Sequence, residues 1–345
     1  MGSRGRILVV APILAALVLA CGPARAADSA LIAAAKKEGE VVWYTTLIVS
    51  QAVRPLVKAF EDKYPGIEVR YSRADSSPTA LKILTEMRAG KVQADVFDGA
   101  GTVPLLVQAG LVADYLPPSA DLYPPQFKDP NGHWIAINLY FLTPGYNTNL
   151  VPKDEVPQTL EDLLAPRWKG KLAWSTALQT GIGSFIGSVL ETRGEEKGMD
   201  YLRALAKQQI INVDATSRAV LDQVIAGEYP IALEIFNHHA ALSAAKGAPV
   251  DWVKMEPIAA PISVASLVKD SPHPNAGKLL LDFLASEDGQ KVMAQVDYIP
   301  AMPSVPARLP LLKPEAGGFK AYFMPPEIFA QKGDHWMDIA KQLFQ

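Results

Sequence analysis

The chain has 345 residues, one cysteine and a formal charge of −3. That length suffices for two lobes of ordinary domain size. No stretch gathers lysine and arginine into a face for nucleic acid.

Residues 1–26 read as a secretory signal peptide. Arg4 and Arg6 precede an apolar run over 7–20, and Ala24-Arg25-Ala26 supplies a small-x-small cleavage site. The run is too short to span a bilayer comfortably. "VLAC" around Cys21 loosely resembles a lipobox, so lipid anchoring there stands as the alternative to cleavage after Ala26. Cleavage at Ala26 leaves no cysteine, which excludes disulfides, thiolate metal sites and a cysteine nucleophile. It also removes three arginines and no acid, leaving a more acidic secreted chain that is expected to be soluble, since no later segment is as hydrophobic.

From there the elements follow in order. A helix over 28–39 has Asp28 near its cap and Gly39 as its stop. A buried strand, "EVVWYTT", comes next. Val53, Leu56, Val57 and Phe60 then mark an amphipathic helix whose first turn Pro55 makes irregular, and Tyr64-Pro65-Gly66 ends it. "IEVRY" alternates as a strand. Ser77-Pro78 reads as a capping hydroxyl followed by proline, opening a helix through Leu81, Leu84 and Met87 to Gly90. "ADVFDGAG" is strand then tight turn. The order β-α-β-α-β predicts an α/β fold with a parallel sheet.

Residues 133–150 form an extended stretch broken at Pro144-Gly145. A second α/β set follows: strand "KGKLAW", helices "GIGSFIGSVLE" and "GMDYLRALAKQ", strand "INV", helix "SRAVLDQVIAG", strand "IALEI" and a helix opening at Asn237. "APISVASLV" is strand-like, and 274–296 read as paired helices. The expected division is 27–137 plus 257–305 for one lobe and 138–256 plus 306–345 for the other, joined by more than one extended crossing.

Gly181, Gly183 and Gly187 resemble a dinucleotide fingerprint, but Ile186 stands where the third glycine belongs, so no cofactor is expected. Helix packing is the plain reading of those glycines. Ser175, Thr176, Thr180 and Gly181 together suit a polar ligand at a helix N-terminus. The feature recurs at Thr45-Thr46, Ser76-Ser77, Gly99-Ala100, Thr216-Ser217 and Asn237. In parallel α/β sheets, strand C-terminal edges and the helix starts after them face one crevice. Capping explains any one of these ends alone; their shared position argues for a site. Asn237 reads as a cap, making His238 and His239 the first helical residues, where the helix dipole disfavours imidazolium. Neighbours on a helix point about 100° apart, and no HxxxH or HExxH spacing exists. Polar ligand contact, a surface or packing role, and metal binding therefore stand as the alternatives for the pair. Arg73 and Arg218 lie at helix starts; either suits charge neutralisation, although each taken alone reads first as a solvated or ion-paired arginine. Neither a GxSxG elbow nor a P-loop occurs; a secreted hydrolase is the remaining enzyme class.

"GEVVWYTTL", "LVKAFEDKYPGIEVRY", "ALKILTEMRAGKVQADVFDGAG", "AGLVADY", "PGYNTNLVP", "LEDLLAPRWKGKLAW", "AVLDQVIAGEYPIAL" and "PNAGKLLLDFLASEDGQKVM", in this order, resemble the periplasmic solute-binding proteins of ABC importers. The likeness is to the type II fold and its ferric-ion-binding branch. It implies two lobes closing at a hinge on a ligand, delivery to an inner-membrane permease, a monomer and no enzymatic activity. Iron binders of that branch carry a histidine where this chain has Ile48, and a tyrosine pair where it has His238-His239. The phenolates suited to Fe³⁺ are absent there. The resemblance then implies a small anionic or polar organic solute held by Thr45, Thr46, Ser76, Ser77, Thr176, Thr180, Asn237, His238 and His239, with a metal-binding receptor as the alternative.

Overall fold

The computed structural model describes residues 28–345; the leader and Cys21 lie outside the described residues. α1 (Ser29–Glu38) starts where the Asp28 carboxylate accepts from the Ala30 amide at 3.0 Å. It stops at Gly39, whose φ of 77° turns the chain left-handed. β1 (Glu40–Thr45), β2 (Glu68–Arg73) and β3 (Val96–Asp98) pair in parallel with β1 in the middle. α2 (Arg54–Lys63) and α3 (Ser76–Arg88) connect them, and α4 (Val103–Gln108) follows. This is the β-α-β-α-β order expected. Pro55 is second in α2, and the turn before it is π-helical, with the Val53 amide bonded to the Ile48 carbonyl five residues back. α3 corrects one expectation: it begins at Ser76 with Asp75 in the cap position, so Ser77 is not the cap and Pro78 is third in the helix.

β4 (Ile135–Leu139) and β5 (Leu142–Asn147) follow. The interruption between them falls at 140–141, not at Pro144-Gly145. β5 runs through that pair with a register shift between Thr143 and Gly145, where proline's missing donor is tolerated. β6 (Leu172–Ser175), α5 (Ile182–Arg193), α6 (Glu195–Ala206), β7 (Ile211–Val213), α7 (Ser217–Ala226), β8 (Ile231–Phe236) and α8 (Asn237–Ala245) form the second α/β set. After β9 (Val250–Trp252), β10 (Ile258–Leu267) is buried along its whole length. α9 (Pro274–Ala285), α10 (Glu287–Gln295), β11 (Ile299–Pro300), α11 (Pro314–Gly317), β12 (Ala321–Met324) and α12 (Pro326–Phe344) complete the chain.

The sheet path is β2-β1-β3-β10-β5-β8-β6-β7. β10 joins its halves: its C-terminal part pairs with β3 and β4, its N-terminal part with β5 and β12. One apolar core draws on 35–141 and 258–319, built around Trp43, Phe60, Phe97 and Phe283. A second draws on 142–259 and 324–340, around Trp174, Phe185 and Trp336, with a smaller cluster under α7 and β8. Ala307, Leu312 and Phe319 thus belong to the first core, although the sequence reading put 306 onward with the second lobe. They pack there because the chain after β11 stays on the first half until β12 carries it across.

Candidate functional site

The first wall is built at the C-terminal ends of β1, β2 and β3. Thr45 and Arg73 are register partners, and Asp98 closes β3 beside them. The Asp98 carboxylate is wholly buried. Its Oδ1 accepts from Thr46 N at 2.7 Å and from Thr46 Oγ1 at 2.5 Å; its Oδ2 accepts from Trp43 Nε1 at 2.9 Å. Burial raises its pKa, and these bonds oppose that rise. Gly99 follows at φ 111°, left-handed backbone that favours glycine. A Cβ there would stand 2.8 Å from both Ser76 Oγ and Thr46 Cγ2, so the turn folds tightly onto the start of α3. Thr102 Oγ1 donates toward the Ser76 and Asp98 carbonyls at 3.2 and 3.3 Å.

The second wall is the junction of β8 and α8. Phe236 occupies the cap position, and His238 and His239 lie in the first turn, 1% and 8% exposed. Their ring centroids are 4.3 Å apart, with Phe236 against His239 at 5.0 Å. Neither Nδ1 has a hydrogen-bond partner. Burial, then His239, then Arg218 push the His238 pKa well below the ordinary imidazole value. Burial and Arg218 lower His239 to about 4, against a smaller opposing effect of Asp222. Both rings are therefore neutral at physiological pH, each able to donate one N–H and accept at the other nitrogen.

Two tyrosines stand between the walls. Tyr140 stacks on His238 at 6.3 Å and 20°, and Tyr298 lies 6.0 Å from it, its hydroxyl accepting from the Ile48 amide at 3.3 Å. Burial first raises the pKa of each phenol; Asp98 raises and Arg73 lowers both. Both remain protonated donors.

Of the residues expected from sequence, Thr46, Ser76 and Gly99 lie against one another and His238 lies against His239, with Arg73 within electrostatic reach of Tyr140 and Tyr298, and Arg218 of both histidines. Arg73 is paired with Asp75 at 2.7 Å, and Arg218 with Asp222 at 2.7 Å and Ser243 Oγ at 3.3 Å. Thr45 is buried, its hydroxyl accepting from Leu47 N. Ser77 is exposed and Ala100 is buried. Asn237 is a correction: it is not the cap of α8 but its first residue, fully buried, donating from Nδ2 to the Leu312 carbonyl. Ser175 donates to the Ala215 carbonyl at 2.6 Å, Thr176 N to Val213 O at 3.1 Å, and the Thr180 carbonyl accepts from Ser217 Oγ. Thr216 is an ordinary cap of α7, accepting from Ala219 N.

The glycines after Ser175 serve packing. A Cβ on Gly181 would lie 2.2 Å from the Ser175 carbonyl oxygen, on Gly183 2.4 Å from that of Leu178, and on Gly187 2.6 Å from the Trp336 ring. Sequence reasoning missed Asp98, Tyr140, Tyr298 and Gln179. Asp98 adjoins the flagged turn and Gln179 sits inside one, so proximity to a strand end was the usable signal. The tyrosines had none, coming from a crossing and from the loop after α10.

Among the described residues no group of three or more His, Cys, Asp and Glu is placed to hold a metal, and no helix is long and apolar enough to cross a membrane. The family described as bacterial extracellular solute-binding protein matches residues 55–318. The Fe(3+)-binding periplasmic protein of Serratia marcescens is 23% identical over 249 residues, 69% of this chain and 72% of that one. The structure of iron-bound HitA from Pseudomonas aeruginosa is 25% identical with a TM-score of 0.73, covering 89% of this chain and 99% of that one. AfuA from Actinobacillus pleuropneumoniae, with exogenous fructose-6-phosphate bound, is 23% identical with a TM-score of 0.71, covering 89% and 98%.

Proposed function

This chain belongs to the bacterial extracellular solute-binding proteins, and from that premise we propose that it is the periplasmic receptor of an ABC importer for a small organic anion. The two apolar cores act as two lobes, and the solute lies between the Thr46–Ser76–Gly99 wall and the His238–His239 wall. The protein works as a monomer and hands its solute to an inner-membrane permease without chemical change.

One observation carries the choice of solute: two buried, neutral imidazoles with unpartnered Nδ1 atoms stand at the start of α8, within reach of Arg218. A helix N-terminus adds free amides and positive potential. Tyr140 and Tyr298 add hydroxyl donors; Asp98 is already occupied by Trp43 and Thr46, and Asp222, the acid that reaches His239, by Arg218. Such a lining offers N–H and O–H donors and a nearby guanidinium, which suit an oxyanion. Iron is named for several relatives, but the nitrogen pair here lacks the carboxylate partners a metal site requires.

Thermal melting with inorganic phosphate, fructose 6-phosphate, citrate and the chlorides of Fe³⁺, Ni²⁺ and Zn²⁺ tests this. An organic anion at 100 times its Kd adds about 2.7 kcal/mol of stability. Stoichiometric metal uptake, and no response to any anion, would overturn the reading.

A further inference from the structure

Gln179 is a second-lobe side chain that reaches the first lobe. Its carboxamide lies against the first lobe: Nε2 stands 2.5 Å and Oε1 3.1 Å from where a Cβ on Gly101 would be, with Ser76 Cβ at 3.0 Å from the same point. Gly101 belongs to the turn between β3 and α4, and Gln179 to the segment between β6 and α5, so this contact bridges the two lobes. The side chain makes no hydrogen bond there. Its backbone, by contrast, is anchored. The Gln179 carbonyl accepts from Ser184 Oγ at 2.6 Å, the next carbonyl accepts from Ser217, and Leu178 packs against Gly183 and Gly333. A fixed loop therefore presents a polar arm to a bare patch of backbone in the opposite lobe. The same face brings α12 near α4, and Trp134 Nε1 donates to Glu327 Oε1 at 2.5 Å where α12 begins.

We propose that Gln179, seated on Gly101, is the closure stop of the cleft and so a specificity-determining residue, limiting how closely the lobes approach and hence the size of solute enclosed. The proposal rests on the two-lobed receptor reading. Gly101 lacks a side chain because one would displace the carboxamide. Its φ lies outside the left-handed region, so substitution there adds bulk without backbone strain. Shortening Gln179 lets the walls approach further or admits a solute group into its place.

The test measures the distance between spin labels on Lys58→Cys in α2 and Lys197→Cys in α6, both exposed, in a Cys21→Ser background without solute. Gly101→Val shifts the distance maximum to longer separation, and adding Gln179→Gly restores the original distance. Should Gly101→Val lose its cooperative melt, Gln179→Trp applies the same wedge from the other wall and gives the same lengthening. An unchanged distance in the wedged protein, or no recovery in the double variant, overturns the proposal. No solute enters the measurement, so its outcome is separate from that of the anion melting series.

Discussion

The two walls of the cleft are made alike, each at the end of parallel strands, yet they treat their polar groups in opposite ways. The first satisfies nearly all of its own: Asp98 accepts from Trp43 and Thr46, Arg73 pairs with Asp75, and Thr102 donates to two carbonyls. The second leaves both imidazole Nδ1 atoms without partners, and β8, the strand leading into it, carries a buried acid, Glu234, whose Oε2 has none either. Buried polar groups are normally bonded because each orphan costs about 1–3 kcal/mol. A wall that keeps such vacancies is less stable alone and gains more from a partner. On the receptor reading proposed above, the first wall is the scaffold and the second the surface that reads the solute.

That contrast can be broken by exchanging the roles. Asp98→Ala orphans the Trp43 indole and the Thr46 amide, and should cost about 3 kcal/mol in urea unfolding. A loss under about 1 kcal/mol would remove the scaffold role. His238→Phe replaces a ring of like shape and deletes an unpartnered nitrogen. It should leave the urea midpoint equal or higher while weakening the solute 10- to 100-fold, about 1.4–2.7 kcal/mol, by calorimetry. Unaltered affinity would move the reading surface elsewhere.

Glu234 sharpens the comparison through pH. Burial raises its pKa well above the ordinary carboxylate value, and it faces a cavity of about 20 Å³ beside Ser188 and Thr192. A folded-state pKa raised above the unfolded one means the folded form keeps a proton that the unfolded form has released. Stability is therefore fullest below about pH 4, the unfolded value, and is lost as pH rises toward the folded pKa, by at most about 1.4 kcal/mol per unit. Glu234→Gln should remove that slope from the difference between the two unfolding curves; parallel curves from pH 5 to 8 would show the acid already ionised.

Local pattern carried most of the fold. The capped helix after Asp28, the parallel order of β1 to β3 and the paired helices α9 and α10 all follow from periodicity and stop signals. The short strands β9 and β12 did not, since three or four residues hold too little alternation to register. Pro144-Gly145 misled because a breaker pair reads the same whether it ends a strand or bulges it. The candidate site was partly legible: His238, His239, Thr46 and Ser76 follow strand ends, whereas Asn237 and Ser175 look alike in sequence and donate to backbone carbonyls instead.

The residues alone determined that this is an α/β chain with helix starts gathered at strand ends, and that tyrosines are missing from the β8–α8 junction. Those are properties of neighbours along the backbone. Only the tertiary structure decided which hydroxyls stay free, that Tyr140 and Tyr298 join the histidines, and that Gln179 meets Gly101. Each of those contacts joins segments distant in sequence, and β10, shared by both halves of the sheet, brings those halves together.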